Sequence, residues 1–376
     1  MKGKKWKGQH IFLKGASIFL SVILIYNLLL TTLPAVAGQM EKVALFSAGL
    51  MFPNGGWALL NQKPAQEHTA VAEGNSVPES SKEETVSSES SSQPEVTLSL
   101  EEEPAPPAKP ENAGSLVRKT LGASQSSVYV NIGESTVKNL SGLSAQDVVN
   151  YASAGLPFTF DQNSDEPQVL IYHTHATESY QPYTADWYDP STATRSKDDA
   201  KNMIAVGNVL EEKLKAAGIG VIHDKTQHDN PSYTEGYDRS RQTVQKHLKE
   251  HPSIKVVLDV HRDALQGDNV ITAPYTEING QKSAQIMTIC CADNGKGRIP
   301  NFTKNFAFAA ALQNQMEQDY PTLARPMLFD KNRFYNQDLS VGSLLLEIGG
   351  HGNTLNEAKT AISFLADSLI KVLKGE

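Results

Sequence analysis

Apolar and polar positions divide the chain into three regimes. Residues 16–37 carry no charged side chain and are mostly apolar, as in Ile18, Phe19, Leu20, Val22, Ile23, Leu24, Leu28, Leu29 and Leu30. From 61 to 112 apolar residues thin out and Ser, Glu and Pro dominate. Such a segment cannot bury a core and is expected to be a disordered, self-repelling acidic spacer. From 167 to 376 short β-branched runs alternate with helical stretches. Strands are expected over 168–173, 219–223, 254–260, 284–290 and 344–348. Helices are expected over 196–217, 237–250, 301–318 and 354–373. In the first helix Ile204, Leu210, Leu214 and Ala217 share a face, and Gly218 stops it. In the last, Leu355, Ile362, Leu365, Leu369 and Val372 do the same. The alternation predicts an α/β fold: a largely parallel twisted sheet with helices on both faces. Residues 113–166 carry weaker signals, a strand-like run from Val128 to Ile132 and a helix start at Ser144. They read as an N-terminal extension of the domain.

Charge places the apolar segment. Lys2, Lys4, Lys5, Lys7 and Lys14 precede it. A span of about 20 apolar residues crosses a bilayer as a helix, with its basic flank inside the cell. Residues 1–15 are therefore expected to be a cytoplasmic tail and 16–37 a transmembrane helix. Residues 38–60, with Leu45, Phe46 and Trp57, are expected to lie near the membrane. The rest is expected outside the cytoplasm, on a single-pass protein of the cell membrane. The rival reading is a signal peptide cleaved after Ala37, following Ala35 and Val36; the apolar run is longer than a typical signal core. A net charge of −8 over 376 residues argues against nucleic-acid binding. Cys290 and Cys291 are adjacent, and neighbours on a strand point to opposite faces. They read as small buried residues rather than a bridge.

The candidate chemistry sits at strand ends, where open α/β sheets place their sites. The strand at 168–173 runs into His173, His175 and Glu178, and His175 with Glu178 forms an H-x-x-E pair. Two His and one Glu, plus water, is a catalytic zinc pattern. A second apolar run, 254–260, ends in His261, Arg262 and Asp263. A third, Leu344 to Leu346, leads into Glu347 and then Gly349 and Gly350. A carboxylate in an apolar run needs a partner or a raised pKa, as a general base does. Each residue has an ordinary explanation too. A lone His at a strand end is usually structural, and Glu347 could be a buried ion pair. Three such strand ends together favour a zinc site made by His175, Glu178 and His261, with Glu347 as base. Arg262 is expected at a substrate carboxylate or oxyanion, Asp259 and Asp263 behind a ligand imidazole, and Tyr335 and Asn336 along the cleft.

At these motifs the sequence resembles the stage II sporulation protein P family. The resemblance rests on Thr174 to Ser179, Leu258 to Asp263, Tyr335 to Ser340 and Leu345 to Gly350. It implies a fold similar to zinc N-acetylmuramoyl-L-alanine amidases (phosphorylase/hydrolase-like), and a domain over 167–376 that cuts the amide between stem peptide and glycan in peptidoglycan, and cross-links as well. It further implies action in sporulation engulfment, with the stage II sporulation proteins D and M as partners. By the same resemblance His175, Glu178 and His261 hold Zn2+ and Glu347 is catalytic. Classical amidases take their ligand Glu from the start of the following helix, where this chain has Asp198 and Asp199, so the second ligand stays open between these and Glu178. Two other functions also stay open. One is a zinc carboxypeptidase, which fits the same spacing; the other is an anchored cell-wall binding module without a metal.

Overall fold

The computed structural model describes residue 98 and residues 100–376. The expectations for 1–15, 16–37, 38–60 and most of 61–112 lie outside these residues. Among the described residues no helix is long and apolar enough to cross a membrane. The elements run β1 (Gly114–Lys119), β2 (Tyr129–Ile132), β3 (Ser135–Leu140), α1 (Ala145–Ala152), β4 (Val169–Tyr172), β5 (Trp187–Tyr188), α2 (Met203–Ala216), β6 (Val221–His223) and α3 (Gly236–Glu250). They continue with β7 (Val256–Asp263), β8 (Gln266–Gly267), β9 (Val270–Ile278), β10 (Gln281–Ala284), β11 (Ile286–Cys291), α4 (Phe302–Asp319), β12 (Met327–Asp330), β13 (Ser343–Gly350) and α5 (Leu355–Lys374).

The main sheet has the order β2-β3-β12-β11-β13-β7-β4-β6. Its pairings are parallel except β2 with β3 and β11 with β13. Apart from the edge strand β2, it is therefore two parallel blocks running in opposite directions, meeting at β11 and β13. The three strands that carry the motifs, β4, β7 and β13, are consecutive neighbours in one parallel block. Their carboxyl ends lie together.

Every residue of β7 and β13 is buried. Period-two alternation then sorts their side chains. Val256, Leu258 and Val260 pack with Leu344, Leu346 and Ile348 and with α1, α2, α4 and α5. Val257 turns the other way, with Leu170 and Tyr172, onto Val244 of α3. Helices thus cover both faces, but among the described residues the second face is covered more thinly, by α3 and by the segments around Ile299 and Tyr335. Asp259 and His261 share the parity of Val257, and Glu347 that of Leu345. The polar residues fall on the thinly covered face.

Two elements differ from expectation. The helix expected over 196–217 begins only at Met203, because the Asn202 side chain caps it by accepting from Ile204 N–H at 2.9 Å. A second sheet, β10-β9-β1-β5 with β8 on β9, joins the N-terminal extension to the segment after β7. Residues 100–112 have no helix or strand and touch the body where Glu103 accepts from Thr184 and the Glu101 carbonyl accepts from Asn356. Cys290 and Cys291 are free and buried.

Gly342 sets the entry of β13 beside β7. A Cβ there would lie 2.2 Å from the Lys255 carbonyl oxygen and 2.9 Å from the Phe158 ring. A backbone atom cannot rotate away, so Gly342→Ala is expected to lower stability by about 1–3 kcal/mol. The urea midpoint measures this, and an unchanged midpoint contradicts the close approach.

Candidate active site

Asp259 ties the first two strand ends together. Its carboxylate accepts from Thr174 N–H at 2.8 Å and from Thr174 Oγ1 at 2.7 Å. That fixes the loop after β4 against β7 and leaves His175 and Glu178 in the turn that follows. Asp259 Oδ1 also lies 2.8 Å from His261 Nε2, an ion contact that is out of line for a hydrogen bond. His261 Nδ1 faces Glu178 Oε2 at 3.7 Å. Glu178 Oε2 accepts from the Arg262 backbone N–H at 3.2 Å, and Oε1 lies 3.6 Å from Arg195 Nη2. Glu347 sits directly across from His261 in the β13–β7 register. The structure thus gathers His175, Glu178, His261 and Glu347 at one end of adjacent strands, each nearly or fully buried.

The walls are aromatic. His175 stacks on Tyr233 with centroids 4.1 Å apart and meets the edge of Tyr237 and of His261, the latter at 5.3 Å. Tyr237 lies parallel to His261 and packs on Tyr335. Arg195 lies over the Tyr233 ring at 4.7 Å and pairs with Asp229 at 2.6 Å.

The electrostatics follow from burial. Burial pushes His175 down to about 3, partly opposed by Glu178. Burial would raise Glu178, but His261 and Arg262 pull it below the usual carboxylate range. Burial would lower His261, yet Asp259 and Glu178 hold it well above an ordinary imidazole. Burial, with Asp263 nearby, holds Glu347 well above a normal glutamate, against the pull of His261.

A metal would suit this donor set in kind: two imidazoles and a carboxylate. Both ring nitrogens of His175 are buried with no hydrogen-bond partner, which an imidazole tolerates when a nitrogen is to bind an ion. The Asp259 contact to His261 Nε2 leaves Nδ1 toward Glu178, as outer carboxylates do for ligand imidazoles. The three ligand atoms do not, however, all lie within 4.8 Å of one another; among the described residues only those of His247, Glu250 and His251 do.

Other expected residues lie elsewhere. Asp198 pairs with Lys201 at 3.3 Å, and Asp199 accepts from Gln227; both are exposed, in turns before α2. His173 turns inward, with Nδ1 2.8 Å from the Val260 carbonyl and Nε2 2.8 Å from His223 Nε2. The expectation for Arg262 needs correction. Its guanidinium donates to the carbonyls of Ser179, Thr194 and Asp263, so it clamps the loop after β4 instead of facing a substrate. Asp263 pairs with Arg325 at 2.8 Å rather than with an imidazole. Asn336 donates to Ser240 and the Tyr237 carbonyl, bracing α3 behind the site. Sequence reasoning missed Arg195, Tyr233 and Tyr237, and also His351, which is buried with neither ring nitrogen partnered.

Burial also holds His173 and His351 near 3, with His223 and Arg262 adding to it. These rings and His175 stay neutral in the fold, whereas unfolded rings protonate near 6.5. Their stabilisation is present above about 6.5 and is lost as pH falls toward 3, at up to ~1.4 kcal/mol per pH unit for each ring. Glu347, raised in the fold, works the other way above about 4.5. His223 is lowered by burial as well and Glu317 raised by it, and the lowered rings still outnumber the raised carboxyls, so the zinc-free protein should lose stability from about pH 6.5 to 4.5. Urea midpoints that stay level or rise would show the rings charged in the fold.

Together the fold and the site define an open-sheet α/β domain with an imidazole–carboxylate centre at the carboxyl ends of adjacent parallel strands. The chain belongs to the stage II sporulation protein P family, whose model matches residues 48–370. It is 34% identical over 214 residues to stage II sporulation protein P of Bacillus subtilis (strain 168), a match covering 54% of this chain and 50% of that one. The match thus spans about half the length of the curated relative. Among solved structures, the CwlD amidase from Clostridioides difficile in complex with the GerS lipoprotein is 12% identical, with 55% of this chain and 97% of that chain covered and a TM-score of 0.35. The N-acetylmuramoyl-L-alanine amidase AmiC2 of Nostoc punctiforme is 12% identical, with 56% and 96% covered and a TM-score of 0.34. Likeness at this level carries no weight for the chemistry.

Proposed function

We propose that this protein is a zinc-dependent N-acetylmuramoyl-L-alanine amidase of peptidoglycan that acts in sporulation engulfment. The observation that carries the reading is the meeting of His175, Glu178, His261 and Glu347 at three adjacent strand ends. Family membership supports the sporulation setting. The lysine-flanked apolar span at 16–37 supports a membrane anchor with the domain outside the cytoplasm, and the resemblance supports proteins D and M as partners.

His175, Glu178 and His261 would hold the zinc. The ion, when bound, supplies polarisation of the scissile carbonyl and acidification of water. Glu347 takes a proton from water onto its carboxylate and delivers it to the leaving amide nitrogen. A nearby cation would draw Glu347 down from its raised value, so that it can act as a base near neutral pH. Asp259 holds the His261 ring in place. Arg262 fixes the loop that carries Glu178. Tyr233 and Tyr237 keep water from the flanks of His175.

Digestion of purified peptidoglycan by the full chain tests the reading. Free stem peptides are expected. Loss of a single terminal residue would instead mean a carboxypeptidase, and retention on the wall without any release would mean a binding module.

A further inference from the structure

A second cluster of ligand-type side chains lies at the other end of α3. His247, Glu250 and His251 bring one ligand atom each within 4.8 Å of one another. His247 and His251 are four residues apart, which puts them on one helix face, and His251 is the residue that closes the helix. The His251 backbone N–H donates to the His247 carbonyl at 2.8 Å, so the helical spacing holds to the end.

His247 is already set as a ligand. Its Nε2 lies 2.8 Å from Asp224 Oδ2, just past the end of β6. Its Nδ1 is buried with no hydrogen-bond partner. A carboxylate on one ring nitrogen fixes the tautomer and strengthens the other as a donor. Asp224 is itself fixed, because its Oδ1 accepts from Thr226 N–H at 3.0 Å. The last turn of a helix also favours positive charge, since its carbonyls point there. Two imidazoles and one carboxylate suit zinc, whereas magnesium and calcium prefer all-oxygen sites.

We propose that His247, Glu250 and His251 form a second zinc site, with Asp224 as the carboxylate behind His247. This site is separate from the one at the strand ends. A helix the length of α3, Gly236–Glu250, spans about 20 Å. Gly236, at its start, lies against His175: a Cβ there would be 3.3 Å from the His175 ring. An ion at the far end ties the last turn of α3 to the end of β6 through Asp224. It thereby stiffens the helix whose first turn walls the proposed active site. Because the ion would link two elements through Asp224, we assign it a structural role.

Zinc titration of the full chain against a chromogenic chelator tests this. Two equivalents are expected. His247→Ala and His251→Ala should each lose one equivalent and keep wall hydrolysis. Asp224→Asn should weaken the same equivalent about 10–100-fold. Excess magnesium should not compete. In His175→Ala one equivalent should remain, and adding His247→Ala should remove it. A chain that binds one equivalent, lost with His175→Ala and unaffected by His247→Ala, overturns the proposal. One equivalent lost with His247→Ala but kept in His175→Ala would sustain this site and remove zinc from the proposed active site instead.

Discussion

Glu347→Gln is expected to leave the protein folded and zinc-loaded while hydrolysis falls by about 10²–10⁴-fold, the usual cost of losing a general base. The substitution is isosteric at a residue only 1% exposed. In the zinc-free chain burial and Asp263 already disfavour the charged form of Glu347, so an uncharged amide of the same shape is tolerated there. The melting temperature should therefore hardly move. Affinity for peptidoglycan should also be little changed, because the lost interaction is made mainly in the transition state. A structural ion pair at Glu347 predicts the opposite, a lower melting temperature with near-normal turnover. Zinc content, melting temperature and stem-peptide release on one preparation separate the two. Normal turnover by a folded, zinc-loaded Glu347→Gln chain would remove Glu347 from the mechanism.

The two histidines should differ in stability although both should lose activity. Removing either leaves two ligands, which hold zinc far more weakly than three. The His175 ring nitrogens have no hydrogen-bond partner, so His175→Ala breaks no side-chain hydrogen bond and costs mainly the ring's packing on Tyr233, Tyr237 and His261. His261 stands 2.8 Å from the buried Asp259. His261→Ala strands that carboxylate with Thr174 alone, and breaking a buried charge pair costs about 3–5 kcal/mol. Urea midpoints of the two variants, zinc-free, should separate by most of that amount. Zinc is best counted in a His247→Ala background, so that a single site is read. Stoichiometric zinc and full activity in either variant would refute the ligand assignment.

The central strands were legible because their signals are local. The runs before His173, His261 and Glu347 are β-branched or leucine-rich, and each becomes a buried strand; β4 stops just before His173, whereas β7 and β13 continue through His261 and Glu347. That β4, β7 and β13 would be neighbours was not written in any of them, since pairing is a long-range property. The strand-end rule pointed to these carboxyl ends without that knowledge, and the fold brings the residues it named together there. The second sheet was missed because β1, β9 and β10 are mixed in polarity and the sheet is half-exposed, so no period stands out. Arg195, Tyr233 and Tyr237 were missed because they reach the site from a loop and a helix start, where spacing carries no information. Arg262 was misplaced for a related reason. A guanidinium beside a ligand suggests substrate, and only the fold reveals the three carbonyls that use it. His351 had a signal, a His just after Gly349 and Gly350, that went unweighed.

The place of β13 in the main sheet governs when the site can exist. It is the last strand among the described residues, yet it lies between β11 and β7, in the middle of the sheet. A growing chain therefore makes both neighbours first and must hold a gap open for the final insertion. Such a long-range closure is intrinsically slow. Until it happens, the facing edges of β7 and β11 offer unpaired backbone groups to any passing strand. Glu347 enters with β13 itself. During synthesis the candidate site therefore stays incomplete until this strand docks, and a chain halted before Ser343 would lack Glu347 and be prone to self-association.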